Sequence, residues 1–256
     1  MLELAQIACV GCDTMASAVA MDKDMTKRVL AQWGIPVVKG TCVTARMWET
    51  DREEVLKEID ETLKYPLFVK PATMGSSIGV SKAVSRDDVI KALNYAFTFS
   101  TKVVVEKAVD KPLEIEVAVL GNDEPQASIP GQVIPSNEFY DFNAKYVDGA
   151  SKLIIPAHIG KSLSEDIQFT AVDAFAAIGG AGMARIDFLV AKDTFYVNEI
   201  NTIPGFTSIS MYPKLWEATG ISYTNLITKL IELAIRRHEI SQGLTKTIEL
   251  EKGLGV

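Results

Sequence analysis

Histidine is nearly missing from this chain, at two of 256 residues, and cysteine is scarce, at three. With only His158 and His238 available, a histidine-rich metal cluster is excluded. Cys9-Val10-Gly11-Cys12 has CxxC spacing, but no second pair and no nearby histidine complete a zinc set, so two small residues in a turn are expected. An odd cysteine count without secretory context points to a reducing compartment, and the cytoplasm is the expected location. No apolar stretch approaches the roughly 20 residues of a membrane span. The opening Met1-Leu2-Glu3-Leu4-Ala5-Gln6 lacks the basic region of a signal peptide. Basic excess is lacking too: the net charge of -7 argues against a general nucleic-acid surface. An anionic small ligand stays open, because local Lys and Arg hold phosphate inside acidic proteins. What remains is an ordinary globular composition, 48% hydrophobic and 23% charged, long enough for one large domain or two modest ones.

Hydrophobic periodicity predicts a mixture of helices and strands. Residues 1–12 read as a helix entered part-way, with Leu2, Leu4, Ala5 and Ile7 apolar and no cap, so further sequence upstream is expected. A helix is predicted over 14–33, ended by Gly34 and Pro36. A strand and loop over 37–50 precede an amphipathic helix over 51–63, with Val55, Leu56, Ile59 and Leu63 on one stripe. Strands are expected over 65–71, 102–107, 113–120 and 126–134, and helices over 85–97, 164–178 and 223 to about 237. Residues 207–213 read as a polar turn and those beyond 241 as a frayed tail. Composition changes near Pro112, which marks a subdomain boundary.

Four stretches carry chemistry. Met183-Ala184-Arg185-Ile186-Asp187-Phe188-Leu189-Val190 and Phe195-Tyr196-Val197-Asn198-Glu199-Ile200-Asn201 are joined by a short polar turn, which suggests a hairpin. If Asp187 pairs with Glu199, then Arg185 lies opposite Asn201 and all four polar groups project together. Two carboxylates and an amide oxygen on one rigid patch suit a hard cation such as Mg²⁺; the bland alternative is a solvated sheet face. Lys70 ends a buried strand and leads into Ala72-Thr73-Met74-Gly75-Ser76-Ser77-Ile78-Gly79-Val80, whose free N–H groups suit phosphate oxygens. Lys23 could reach a phosphate, although a lone helix lysine is ordinarily solvated. Phe139-Tyr140-Asp141-Phe142-Asn143-Ala144-Lys145-Tyr146 is too polar for core and reads as a functional loop, or else as an aromatic staple.

Together, Val69-Lys70-Pro71, Gly75-Ser76-Ser77-Ile78-Gly79, the aromatic loop, Ala184-Arg185-Ile186-Asp187 and Asn198-Glu199-Ile200-Asn201-Thr202-Ile203-Pro204-Gly205-Phe206-Thr207-Ser208 resemble the ATP-grasp enzymes, specifically the D-alanine–D-alanine ligase family, over nearly the whole chain. The resemblance implies an ATP-grasp fold with nucleotide between two α+β lobes, 23–112 and 113–242, flanked by a remnant of an N-terminal domain (1–22) and a tail (243–256). It implies that Lys23, Lys70 and Lys145 hold phosphates, with Ser77 and Asn198 also at the nucleotide. Glu106 and the chain at Lys107, Ala108 and Val109 would read adenine, Glu114 the ribose, and Phe139 would pack near the base. Asp187, Glu199 and Asn201 would hold two Mg²⁺, with Mn²⁺ as a substitute. Arg185 and the Gly205 N–H would stabilise an oxyanion. Ser210 and the Met211 backbone would hold the second substrate's carboxylate, Tyr140 would bind substrate, and Ser76 and Tyr146 would orient the site.

The implied reaction phosphorylates one D-alanine and couples it to the amine of another, for peptidoglycan. Tyr146 favours an amine nucleophile and so a dipeptide product. Family members carry a further N-terminal domain of about 100 residues, which supplies a glutamate for the first D-alanine and a histidine near the acyl phosphate. Residues 1–256 are therefore expected to bind ATP with weak or absent ligase activity. A ligase for another carboxylate–amine pair and an ATP-binding module without turnover are the alternatives. The expected partners are small molecules and a second copy in a homodimer, with no nucleic acid and no membrane.

Overall fold

The computed structural model describes residues 1–134, 152–207 and 209–244 and builds them on two antiparallel sheets. The smaller has the order β1-β4-β2-β3, from β1 (Gly40–Thr44), β2 (Leu67–Pro71), β3 (Ser81–Ala83) and β4 (Lys102–Lys107). Alternation divides its side chains between two faces. Val43, Leu67, Val69, Ala83, Val103 and Val105 pack against α3 (Ala45–Thr50), α4 (Arg52–Thr62) and α5 (Arg86–Ala96). The opposite face carries Phe68, Lys70 and Glu106, with Phe68 directly across from Glu106.

The larger sheet contains β5 (Leu113–Gly121), β6 (Gln126–Ala127), β7 (Gly131–Ile134), β8 (Lys152–Ile154), β9 (Gly182–Ala191) and β10 (Thr194–Asn201). Its path is β10-β9-β5-β7-β8, with β6 paired to β5. One face buries Ile115, Val117, Val119, Ile186, Phe188 and Val190 beneath α6 (Lys161–Ala177), α1 (Thr14–Met21) and α2 (Lys23–Gln32). The other face is divided. Ala118, Leu120 and Met183 are covered by α7 (Met211–Ala218) and α8 (Tyr223–Gly243) through Tyr212, Leu215, Trp216 and Leu226. Glu114, Glu116, Arg185 and Asp187 occupy the uncovered half, which opens into the cleft between the sheets. Among the described residues no helix is long and apolar enough to cross a membrane.

Several expectations are corrected. Residues 1–12 form turns rather than a helix, with bonds such as Ala5 N–H to Met1 O, and their apolar side chains are mostly exposed. The single helix over 14–33 is two, because Asp22 accepts from the N–H groups of Asp24 and Met25 at 3.0 and 3.1 Å and so begins a new helix. Residues 45–50 are helical, capped by Thr44 on the Met47 N–H. The 126–134 strand is interrupted around Pro130, which has no N–H to give a ladder. Within the expected 207–213 turn, Met211 already begins α7, whose first turn accommodates Pro213. The last helix continues to Gly243, beyond the expected end near 237. The N-caps at Ser85 and Asp13 each accept a backbone N–H. All three cysteines are free thiols.

Candidate nucleotide and catalytic site

The β9–β10 hairpin has the register read from the sequence: Glu199 pairs with Asp187 and Asn201 with Arg185. An irregularity between Val197 and Glu199 inserts Asn198 as a bulge. Arg185 grips Asp187 through two bonds, Nε to Oδ1 and Nη2 to Oδ2, both 2.7 Å. Asn201 Nδ2 donates to Oδ2 of the same carboxylate at 3.0 Å. Glu116, beside Asp187 on β5, brings Oε2 to 3.0 Å from Arg185 Nε. Burial alone would disfavour the guanidinium charge, but Asp187 and Glu116 outweigh it and raise the Arg185 pKa further. Glu116 was not singled out from the sequence, although its place two residues after Glu114 puts it on the same face.

Lys70 reaches across from the smaller sheet. Its Nζ lies 2.8 Å from Glu106 Oε2 and 3.3 Å from Asn198 Oδ1, so one ammonium joins the two sheets. Lys27 on α2, also not foreseen, sits 2.8 Å from Glu106 Oε1. Glu106 is 1% exposed. Burial would raise its pKa, yet the two ammoniums hold the carboxyl at about 2. Lys23 donates to Met74 O at 2.6 Å and lies 3.6 Å from Glu199 Oε2, which fixes α2 against the glycine-serine loop.

In that loop Ser76 and Ser77 have φ of +51° and +58°, a left-handed pair, and the loop closes on itself through Ile78 N–H to Gly75 O and Val80 N–H to Ser77 O. A Cβ on Gly79, at φ +73°, would meet Phe99 and Pro71 at 2.7 Å. At the end of β4, the N–H groups of Lys107 and Ala108 are held by Lys39 O and Pro66 O, which shapes the chain leading to Val109. Glu114 is half-buried on the cleft face of β5. Ser210 Oγ accepts from Thr207 N–H at 3.0 Å and stands 2.9 Å from where a Gly205 side chain would begin; Met211 is buried behind it. Phe139, Tyr140, Lys145, Tyr146 and Ser208 lie outside the described residues.

The donor set of Asp187, Glu199 and Asn201 is all oxygen once the Asn201 amide presents Oδ1, which fits a hard cation completed by phosphate and water. It is not a ready-made cage: the Asp187 oxygens are engaged by Arg185 and Asn201, and among the described residues no group of three or more His, Cys, Asp or Glu is arranged to hold a metal.

Residues 29–232 match the family model described as D-ala D-ala ligase C-terminus. The D-alanine–D-alanine ligase of Heliobacterium modesticaldum is 48% identical over 244 residues, covering 94% of this chain and 66% of that protein. That of Chloroherpeton thalassium is 50% identical over 240 residues, 93% of this chain and 65% of that protein. Among solved structures, the D-alanine–D-alanine ligase of Coxiella burnetii superposes with a TM-score of 0.81 at 39% identity, over 94% of this chain and 64% of that one. VanG D-Ala:D-Ser ligase from Enterococcus faecalis gives 0.82 at 38%, over 91% and 66%. The chain spans about two thirds of the length of these relatives. Fold, motif order and cleft geometry agree with the match: this chain belongs to the D-alanine–D-alanine ligase family, within the ATP-grasp fold.

Proposed function

We propose that this chain supplies the nucleotide-binding and catalytic lobes of an ATP-dependent ligase that joins two D-alanines into D-alanyl-D-alanine for peptidoglycan. The observation that carries this reading is the cleft itself. Lys23, Lys27 and Lys70 gather at one wall, Arg185, Asp187 and Glu199 at the other, and Lys70 touches both. Phosphoryl transfer asks for such positioning and charge neutralisation more than for covalent help.

In this reading Lys23, Lys70, Lys145 and Ser77 take phosphate oxygens, with Asn198 beside them. The chain at residues 106–109 takes the base, the Glu106 carboxylate being occupied by Lys27 and Lys70; Phe139 packs near the base, and Glu114 takes the ribose. Asp187, Glu199 and Asn201 hold Mg²⁺ or Mn²⁺, whose charge offsets that of the phosphate oxygens. Were Asp187 to engage a cation, Glu116, 3.0 Å from Arg185 Nε, would still hold the guanidinium. The carboxylate of the first D-alanine receives the phosphoryl group, and the amine of the second displaces phosphate. Arg185 and the Gly205 N–H donate to the oxyanion formed in that step; one such donor is worth roughly 3–4 kcal/mol. Ser210 and the Met211 backbone hold the second carboxylate, and Ser76, Tyr140 and Tyr146 orient the substrates.

The test is phosphate release by the purified chain with ATP, Mg²⁺ and D-alanine, compared with D-alanine omitted. D-alanine-dependent release supports the ligase reading. ATP binding by thermal shift without release means a nucleotide site lacking its substrate half in residues 1–256, and absence of both binding and release overturns the reading. The likeness to a solved D-Ala:D-Ser ligase favours one second reading, D-serine as the attacking amine. Mass spectrometry of products formed with both amino acids present separates the two. Light scattering tests the proposed homodimer.

A further inference from the structure

Lys27 lies where lysine is costly. Its side chain is 11% exposed, and its Nζ and Glu106 Oε1, 2.8 Å apart, have no other polar partner among the described residues. The second oxygen of Glu106 lies 2.8 Å from Lys70. One buried carboxylate is thus shared by two ammoniums, one on α2 and one on β2. A buried ion pair rarely stabilises a fold more than an apolar pair of the same shape. A methionine at 27 would fill the space, so packing does not account for the charge.

We propose that Lys27 is a positioning residue of the nucleotide site, which limits Glu106 to one bond with Lys70 and so keeps the Lys70 ammonium available to phosphate. The inference rests on reading the cleft as the nucleotide site. With Lys27 present, the Lys27–Glu106–Lys70 cluster carries one net positive charge, and Lys70 spends one bond on Oε2 and one, at 3.3 Å, on Asn198 Oδ1, which leaves one of its three donors for a ligand. Without Lys27 the cluster is neutral and Lys70 is drawn onto both carboxylate oxygens. The loss falls on phosphate recognition and grows with ligand charge. The groups that face Lys27 are Glu106, which favours its charge, and Lys70 and Lys23, which with burial oppose it.

Calorimetric titration of wild type, Lys27→Met and Lys27→Arg with ATP, ADP and adenosine tests this. Lys27→Met is expected to weaken ATP about tenfold, ADP less, and adenosine by about twofold at most, and Lys27→Arg to restore most of the ATP affinity. In a Glu106→Gln background the carboxylate that captures Lys70 is gone, so Lys27→Met should then cost ATP nothing more. One common factor on all three ligands, no effect on any, or the same ATP loss in both backgrounds overturns the proposal. Failure of the wild type to bind ATP overturns the nucleotide reading instead. Circular dichroism and the thermal midpoint show whether each variant is folded, and the double variant decides the matter if Lys27→Met alone is not.

Discussion

Exchanging Glu106 for glutamine removes a charge and almost no volume, and leaves two buried ammoniums facing an amide. Two routes give the size of the effect. Removing one partner of a buried ion pair costs about 3–5 kcal/mol. Independently, the carboxyl titrates at about 2 in the fold against an ordinary 4.5, a gap worth about 3 kcal/mol at roughly 1.4 kcal/mol per pH unit. We expect Glu106→Gln to lose about 3 kcal/mol at pH 7, or roughly 6–12 °C in Tm for a chain of this size. A carboxyl whose folded pKa is depressed stabilises fully above its unfolded value, and that contribution fades as pH falls toward the folded one. The gap between wild type and variant should therefore be constant above pH 5 and shrink between 4.5 and about 2. Urea unfolding at pH 7 and pH 3 measures it. Tryptophan fluorescence is the signal, with Trp48 in the smaller core and Trp216 in the larger one. A loss under about 1 kcal/mol at pH 7, or a gap that does not narrow in acid, refutes the reasoning.

Gly205→Ala places a methyl 2.9 Å from Ser210 Oγ and breaks the Thr207–Ser210 turn; D-alanine-dependent phosphate release should fall at least about tenfold while Tm stays within roughly 2 °C, since this turn is at the surface. Phe175→Ala, at a fully buried position beneath the larger sheet, should cost about 3–5 kcal/mol in urea unfolding. Asp13→Ala removes the acceptor of the Ala16 N–H and should cost about 1 kcal/mol by the same assay. Gly79→Ala combines a left-handed φ with contacts at 2.7 Å to Phe99 and Pro71, and should weaken ATP binding in thermal-shift titration by distorting the loop that precedes it.

The hairpin register was legible from its polar residues, because pairing Asp187 with Glu199 sets Arg185 opposite Asn201; the change of parity at Asn198, which puts both Val197 and Ile200 on the buried side, was not. Lys70 was legible because a strand ended in it beside a glycine loop. Lys27 was not, since a lysine in a polar helix carries no periodic signal, and its burial depends on Nζ reaching Glu106 on β4, far along the chain. Glu116 was hidden for a similar reason: acids alternating with apolar residues read equally as a solvated strand face until β9 is laid beside it. The break at Asp22 was missed because the apolar pattern runs through it, while the decision lay with one side chain bonding two backbone N–H groups. Residues 1–12 show the opposite error. A helical apolar pattern has nothing to pack on there, and pattern without burial does not hold a helix.

The inserted Asn198 has a consequence for how this strand came to be the length it is. Before it, odd-numbered residues Phe195 and Val197 point into the core; after it, the even-numbered Ile200 does. The strand changes parity at one residue, and excising that residue would leave every other side chain on its present side: Tyr196, Glu199 and Asn201 outward, Val197 and Ile200 inward. A β10 shorter by one would satisfy the same ladder and the same core. Asn198 is thus surplus to folding, and what it contributes is an amide oxygen within reach of Lys70.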